Sequence, residues 1–466
     1  MLLFLGTIPA FSAQHEVGPG RTYTTIQACV DGAAPGDICN VHGGTYPAGA
    51  SVSTSNITIQ SNSGELVTID LDNATASCFS ILSTTSNVTI TGFTCTRWGN
   101  SSTVLPAINL NASQGARVQN NILHSGFGPG VYCNGCKNVL IDGNEIFGTR
   151  LRTDGGGISS DGVTLIGCGS LNNTYEKGCR ITNNSIHDNG TDGIKIQGQY
   201  FTITGNNVFN NVTTVANHPD GLQVLELVTG TQHLRVGNNI FKNHTQNIFI
   251  VGTTTNKLSD IHVWGNIAYN DPGIVNGLNM DTSGGVNLDI SEGSTCAGGV
   301  FVYNNFFGRS ANRSVDFGGC SDGSAEFKNN IIHDNLGNGF LAPGTSHFTS
   351  GKLDYNIYYA PNRSYVILWN GVAYRSLAAF QAAVPNQERN GVAGPANFIQ
   401  AQAGDFRLAS ETIGNVRAPG LPLPILYSLD REGNQRGVDG FWDRGAFEFV
   451  SPTRPNPPQN LRAVAP

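Results

Sequence analysis

Apolar and polar positions recur along this chain in one short phrase: an apolar residue, an asparagine three positions on, another apolar residue two beyond. It reads Val118–Asn121–Leu123, Ile141–Asn144–Ile146, Ile181–Asn184–Ile186, Ile203–Asn206–Val208 and Val236–Asn239–Phe241. It continues as Val263–Asn266–Ala268, Phe301–Asn304–Phe306, Phe327–Asn330–Ile332 and Leu353–Asn356–Tyr358. Successive asparagines lie 22 to 40 residues apart. A base period in the twenties with occasional insertions predicts stacked coils. The alternation on each side predicts short strands with one buried face. The asparagine suits a bend, because it tolerates the left-handed region and can bond the asparagine one coil above. The pattern therefore predicts an all-β chain, a single-stranded right-handed parallel β-helix.

An open end of such a column exposes core and strand edges, so it needs a cover. Ile26, Cys29 and Val30 share one helical face and predict a short N-terminal capping helix. Residues 374–383 also have helix-forming composition. The predicted organisation is a signal segment over 1–13, coils within 14–360, a C-terminal cap over 361–450 and a proline-rich tail or linker over 451–466.

Composition changes this picture in three ways. The formal net charge is −7 with no Lys/Arg-rich run, which argues against nucleic acid. A polyanionic ligand would need a local basic patch or a bridging cation. The ten cysteines suit an oxidising compartment. Neighbour pairing is expected: Cys29 with Cys39, Cys78 with Cys95, Cys133 with Cys136, Cys168 with Cys179, and Cys296 with Cys320. A zinc site needs a second C-x-x-C unit beside Cys133/Cys136. The apolar opening and the lack of any later stretch able to span a bilayer predict a secreted, extracellular or periplasmic monomer.

Function in a solenoid sits where one side of successive coils departs from the minimal repeat. The coils from Asn144 to Ile158 and from Asn206 to Leu222 are longer than the others, and both additions belong to one turn. Stacking then makes neighbours of Asp154, Asp192 and Asp220, each a few residues before its strand. Lys195, Gln223, Phe249 and Asn279 are expected to point outward beside them. His218 is expected to stack on His244, with Arg150 and Arg152 over the same ridge and Gln246 beside it. His124, His187 and His333 each follow a ladder asparagine by three and are read as a feature of the repeat.

The lead chemistry for this ridge is β-elimination on a uronic-acid-containing polysaccharide. Such a reaction needs a neutralised substrate carboxylate and a base for the adjacent proton. Asp154, Asp192 and Asp220 would hold a bridging Ca²⁺. Lys195, its pKa lowered by that cation and the arginines, would be the base. Arg152 and His218 would join it in catalysis, and Arg150, Gln223, His244 and Gln246 would bind substrate. The alternatives are glycoside hydrolysis and C5-epimerisation on the same ridge, or a non-catalytic carbohydrate-binding β-helix. For hydrolysis, Asp192 and Asp220 at ~5 Å would suit a retaining pair.

The opening segment Tyr23–Asp37, the phrase Val41-His-Gly-Gly-Thr-Tyr46 and the asparagine repeat resemble secreted right-handed β-helix proteins of the pectate-lyase-like superfamily. The closing stretch 430–448 resembles bacterial members of that group. Locally, Asp192-Gly-Ile-Lys-Ile-Gln-Gly198 is similar to the Asn-Gly-Phe-Lys-Leu-Gly-Gly type strand of family 9 pectate lyases, which implies the base role for Lys195. Those enzymes carry an Asp-Asp-Gly-rich calcium cluster on the preceding coil, where this chain offers only Asp154 and Asp161.

Overall fold

The computed structural model describes residues 12–150, 160–211, 219–225, 232–251, 258–271, 285–290, 296, 299–310, 313–320, 322–333, 338–342, 347–361, 365–413, 416–417 and 419–450. These form the expected right-handed parallel β-helix. Each coil places one strand in each of three sheets. In one coil Arg117–Gln119 lies in sheet A, Ile122–His124 in sheet B and Val131–Asn134 in sheet C. Leu140–Asp142 then returns to sheet A directly above Arg117–Gln119. Parallel pairing starts at Gln14–Val17 in sheet A and reaches Val392–Ala393 in sheet B.

The inward rows are aliphatic and aromatic. Ile90, Val118, Ile141, Ile181, Ile203, Val236, Val263, Val302 and Phe327 stack in sheet A register and are all fully buried. Burying each such side chain stabilises the column by roughly 1.5–3 kcal/mol.

The asparagine ladder closes the turn from sheet A to sheet B. Asn121, Asn144, Asn184, Asn206, Asn239 and Asn266 each donate from Nδ2 to Oδ1 of the next member at 2.9–3.0 Å. Two details differ from the sequence pattern. The left-handed backbone belongs to the preceding residue, such as Asn120, Asn183 and Asn238, so the ladder asparagine spends its side chain entirely on hydrogen bonding. The seventh member is Asn305, not Asn304: Val302, not Phe301, takes the inward place, and Asn305 passes the chain of bonds to Asn330. Asn356 ends the ladder on the buried carboxylate of Glu388.

All five expected disulfides are present. The first pins the capping helix Ile26–Gly32 to the opening coil; Thr25 caps that helix by accepting from the Ala28 amide, and Ile26, Cys29 and Val30 face the core. Five disulfides fit an oxidising compartment. Among the described residues no helix is long and apolar enough to cross a membrane.

The C-terminal region does more than close the top. After the helix Leu377–Ala383, residues 396–450 run back along the outside of the column. Phe398, Phe406 and Phe447 cover the outward Ile267, Phe306 and Ile331 of sheet B. Tyr427 and Trp442 cover Trp264 and Tyr303 of sheet A. Asn304, displaced from the ladder, accepts from Trp442 Nε1 and donates to the Asp443 carbonyl, so it ties this segment down. Sheet C stays outside this cover.

Candidate functional site

Three Asp-Gly dipeptides precede inward aliphatics: Asp161-Gly162-Val163, Asp192-Gly193-Ile194 and Asp220-Gly221-Leu222. Strand pairing aligns Val163, Ile194 and Leu222, so the three aspartates occupy one place on consecutive rungs. Glycine is required beside them. A side chain at Gly193 would run into Val208 and the carbonyl of Gly221. The backbone thus dips inward at the glycine and sets each aspartate at the edge of sheet C.

This corrects the expected acidic row. Its first member is Asp161, and Asp154 lies outside the described residues, as do Arg152, His218 and Asn279. The two long insertions of the sequence, 151–159 and 212–218, lie outside the described residues. Beside the first, Thr149 Oγ1 donates to the Ser160 carbonyl and Ser160 Oγ to the Arg150 carbonyl. Arg150 is exposed, 5.9 Å from the Phe127 ring centroid.

Ile194 and Ile196 face inward and Lys195 outward, paired in register with Thr164 below and Gln223 above. Lys195 Nζ lies 2.6 Å from Asp192 Oδ2 and 3.8 Å from Asp161 Oδ1. Asp161 also accepts from Thr164 Oγ1 at 2.6 Å and Thr191 Oγ1 at 2.5 Å. Backbone amides run up the row: that of Asp192 donates to Asp161 Oδ1, and that of Asp220 to Asp192 Oδ1. Asp161 and Asp220 are fully buried and Asp192 nearly so.

The charges set the chemistry. Burial disfavours the Lys195 ammonium, but Asp161, Asp192 and Asp220 outweigh that and hold its pKa above the ordinary lysine value. The expected lowering does not occur; Lys195 is a counter-ion with its proton held, not a ready base. Burial, and then Asp161 beside it, push the Asp192 carboxyl up despite the ammonium. One cation serves several stacked acids, so a proton on Asp192 relieves the remaining repulsion.

The expected calcium ligands fit poorly. Asp192 already gives Oδ2 to Lys195 and Oδ1 to the Asp220 amide, so a cation would have to displace the ammonium. Among the described residues no three His, Cys, Asp or Glu side chains gather as a metal site.

Three further expectations divide. Gln223 stands outward on the rung above Lys195. Gln246 follows Asp220 in the row and donates to Asp289 at 2.6 Å. Asp289 is also the outward neighbour of Phe249, the place expected for Asn279. His244 does not face a ligand. It is fully buried, its Nδ1 bonded to Asn247 and its Nε2 to Asn211, and burial lowers its pKa to about 4. His124 and His187 sit in a stack with Phe147 and Phe209 on sheet B, a repeat feature as expected.

Sequence reasoning missed a polar cluster on sheet A. Asp260 accepts from Tyr175 at 2.8 Å and bonds His233 at 2.7 Å and His262 at 2.6 Å, and these hold its carboxyl far below the usual range. Tyr200, His233 and Asp260 occupy the left-handed region on three consecutive rungs. Such strain in non-glycine residues costs about 1–3 kcal/mol each and concentrates at functional places. A cleft of about 580 Å³ lies at the corner of sheets A and B, between Asn183, Asn238 and the returning segment at Phe406 and Arg431, away from the aspartate row.

The sequence model of NosD, described as a periplasmic copper-binding protein, matches residues 49–266. No curated protein matches the chain. Among solved structures it is similar to the pectate lyase Pel9A, at 13% identity over 69% of this chain and 80% of that one, with a TM-score of 0.46. It is similar to PfbA, a surface adhesin of Streptococcus pneumoniae, at 15% identity over 67% and 85%, TM-score 0.44. A PL6 family alginate lyase, AlyGC, aligns at 13% identity over 91% of this chain and 58% of that one, TM-score 0.42. Likenesses this distant carry no reaction across. By its fold the chain is a right-handed parallel β-helix.

Proposed function

We propose that the chain acts on a polysaccharide along the outer edge of sheet C and cleaves it by acid–base chemistry among Asp161, Asp192 and Asp220, as a glycoside hydrolase. One observation supports this reading most: the Lys195 ammonium is shared between Asp192 and Asp161. Environments that push neighbouring carboxyls apart in pKa divide acid from base. Asp192, held towards its protonated form, is the acid that gives its proton to the leaving glycosidic oxygen. A neighbouring carboxyl steadies the charge growing at the anomeric carbon, water supplies the new hydroxyl, and Asp192, left as the carboxylate, takes up the proton that water loses. Asp161, 3.8 Å from the same ammonium, is that neighbour.

The same geometry weakens the elimination expected from the sequence. A base would have to come from an amine whose pKa is raised, and a uronate would bring a further carboxylate to a row of acids. No step here runs through calcium. All ten cysteines are paired in disulfides, so none is left as a thiolate ligand for copper.

A glycan panel tests the proposal. The expected result is new reducing ends without the ultraviolet absorbance of an unsaturated uronate, undiminished by EDTA. Asp192→Asn should lower turnover by about 10²- to 10⁴-fold, the usual contribution of a positioned acid. Unsaturated products lost on adding EDTA would restore the calcium-assisted lyase. Tight sugar retention with no turnover across the panel would make the ridge a binding surface.

A further inference from the structure

The acidic net charge of this chain is broken on one face. In sheet A the outward row from Thr89 to His262 reads Thr89, Arg117, Leu140, Arg180, Thr202, Arg235, His262. Arginines therefore stand on every second rung, ~9.6 Å apart at ~4.8 Å per rung, with no acid in the row between them. Arg117 is exposed, and Arg180 and Arg235 are half-buried. The returning C-terminal segment meets sheet A at His262, Trp264 and Tyr303, and through Arg431 it reaches Asn207 and Asn238 at the turns towards sheet B.

The guanidinium groups are held but not used up. Arg235 lies 3.7 Å from the Tyr175 ring centroid, a contact that fixes its plane. Tyr175 is itself anchored on Asp260. The Nε–H groups of Arg180 and Arg235 are shielded from solvent and meet no hydrogen-bond acceptor among the described residues. Glu176 and Asp142 act on Arg180 from nearby, but burial and the charge of Arg117 prevail and lower its pKa.

We infer that this stripe is a second glycan-binding face, for an extended acidic polysaccharide whose charged groups recur on one side at every second sugar. In an extended glycan successive residues face opposite sides, and each advances by a length close to one rung. Arg117, Arg180 and Arg235 then each meet one anionic group. The face binds and does not cleave; it docks the protein on an acidic matrix while the sheet C edge works independently.

Affinity electrophoresis of the full chain tests this, using gels that contain polygalacturonate, dextran sulfate or a neutral glucan. The expected result is retardation by an acidic glycan but not by the glucan, weakened by salt. The stronger of the two acidic gels identifies carboxylate or sulfate as the recognised group. Thr202→Glu places a repelling charge between Arg180 and Arg235 without removing any native charge, and should weaken retardation at least about fivefold, a loss typical of charge-assisted contacts. The double change Arg180→Gln, Arg235→Gln should do the same. Asp192→Asn should leave retardation unchanged, which separates this face from the proposed reaction centre. Retardation unaffected by both the Thr202 and the double-arginine variants, equal retardation in the neutral gel, or none in either acidic gel would overturn the inference.

Discussion

Two polar ladders climb the same column, and they are built on opposite principles. The asparagine ladder from Asn121 to Asn356 is neutral, and each member bonds the next one up. An amide offers both a donor and an acceptor, so identical residues satisfy one another on every rung. The aspartate row is confined to Asp161, Asp192 and Asp220, on the three rungs where the sequence carries its insertions. Ionised carboxylates only accept, so they cannot satisfy each other, and this row needs Lys195 and a shared proton. A solenoid gains nothing from the second arrangement that the first does not supply at lower cost. The charged row therefore reads as chemistry and the neutral one as architecture.

Breaking the neutral ladder should have the largest effect on stability. Asn206→Ala removes the acceptor of the Asn184 amide and the bonds that Asn206 Nδ2 donates to the Ile181 carbonyl and Asn239 Oδ1. A buried amide left unsatisfied and two further bonds lost predict a loss of about 4 kcal/mol, measured by denaturant unfolding. Asn305→Ala should behave similarly. Asn304→Ala should cost only about 1–2 kcal/mol by loosening the returning segment at Trp442.

Lys195→Met comes next, with an expected loss of about 3 kcal/mol at neutral pH, because it leaves Asp192 buried without its cation. The pH dependence carries the sign. A carboxyl whose folded pKa is raised contributes stability that is complete below its unfolded value and is lost as pH rises through the folded one. Removing the ammonium raises Asp192 further, so the variant should regain stability as pH falls from 7 towards ~4. A melting series across that window checks it, and a deficit that stays constant would mean Lys195 matters only for packing.

A smaller effect tests where the neutral ladder meets a charge. Glu388 accepts from Asn356 and Tyr358, and burial raises its pKa to about 7. Its contribution to stability should therefore fade as pH rises through about 7. Glu388→Gln keeps an acceptor for both partners and should flatten that alkaline decline.

The fold was legible because its signals are local and repeated: from Asn121 onward the apolar–Asn–apolar phrase recurs at the turns from sheet A to sheet B. The five disulfides followed from neighbour pairing. Rung assignment was harder. Asp154 and Asp161 are both followed by glycine and then an apolar residue, so only the pairing of Val163 with Ile194, which stacking decides, puts Asp161 in the row. Asn304 and Asn305 are adjacent, and the choice between them depends on which of Phe301 and Val302 turns inward. His244 looked exposed because sequence spacing places a residue on a turn without saying which way its ring points. The sheet A cluster was invisible for another reason. Tyr175, His233 and Asp260 share no motif, and they meet only through stacking and a left-handed backbone that no residue pattern announced.

The comparison rests on Asp192→Asn, followed in unfolding and in turnover on the same preparation. The account predicts a midpoint close to that of the unaltered chain, because the amide oxygen still accepts from the Asp220 amide and Asp161 remains as a counter-ion for Lys195, together with loss of glycan cleavage. A midpoint lowered as far as by Asn206→Ala, with cleavage intact, would contradict it and make the aspartate row a second structural ladder.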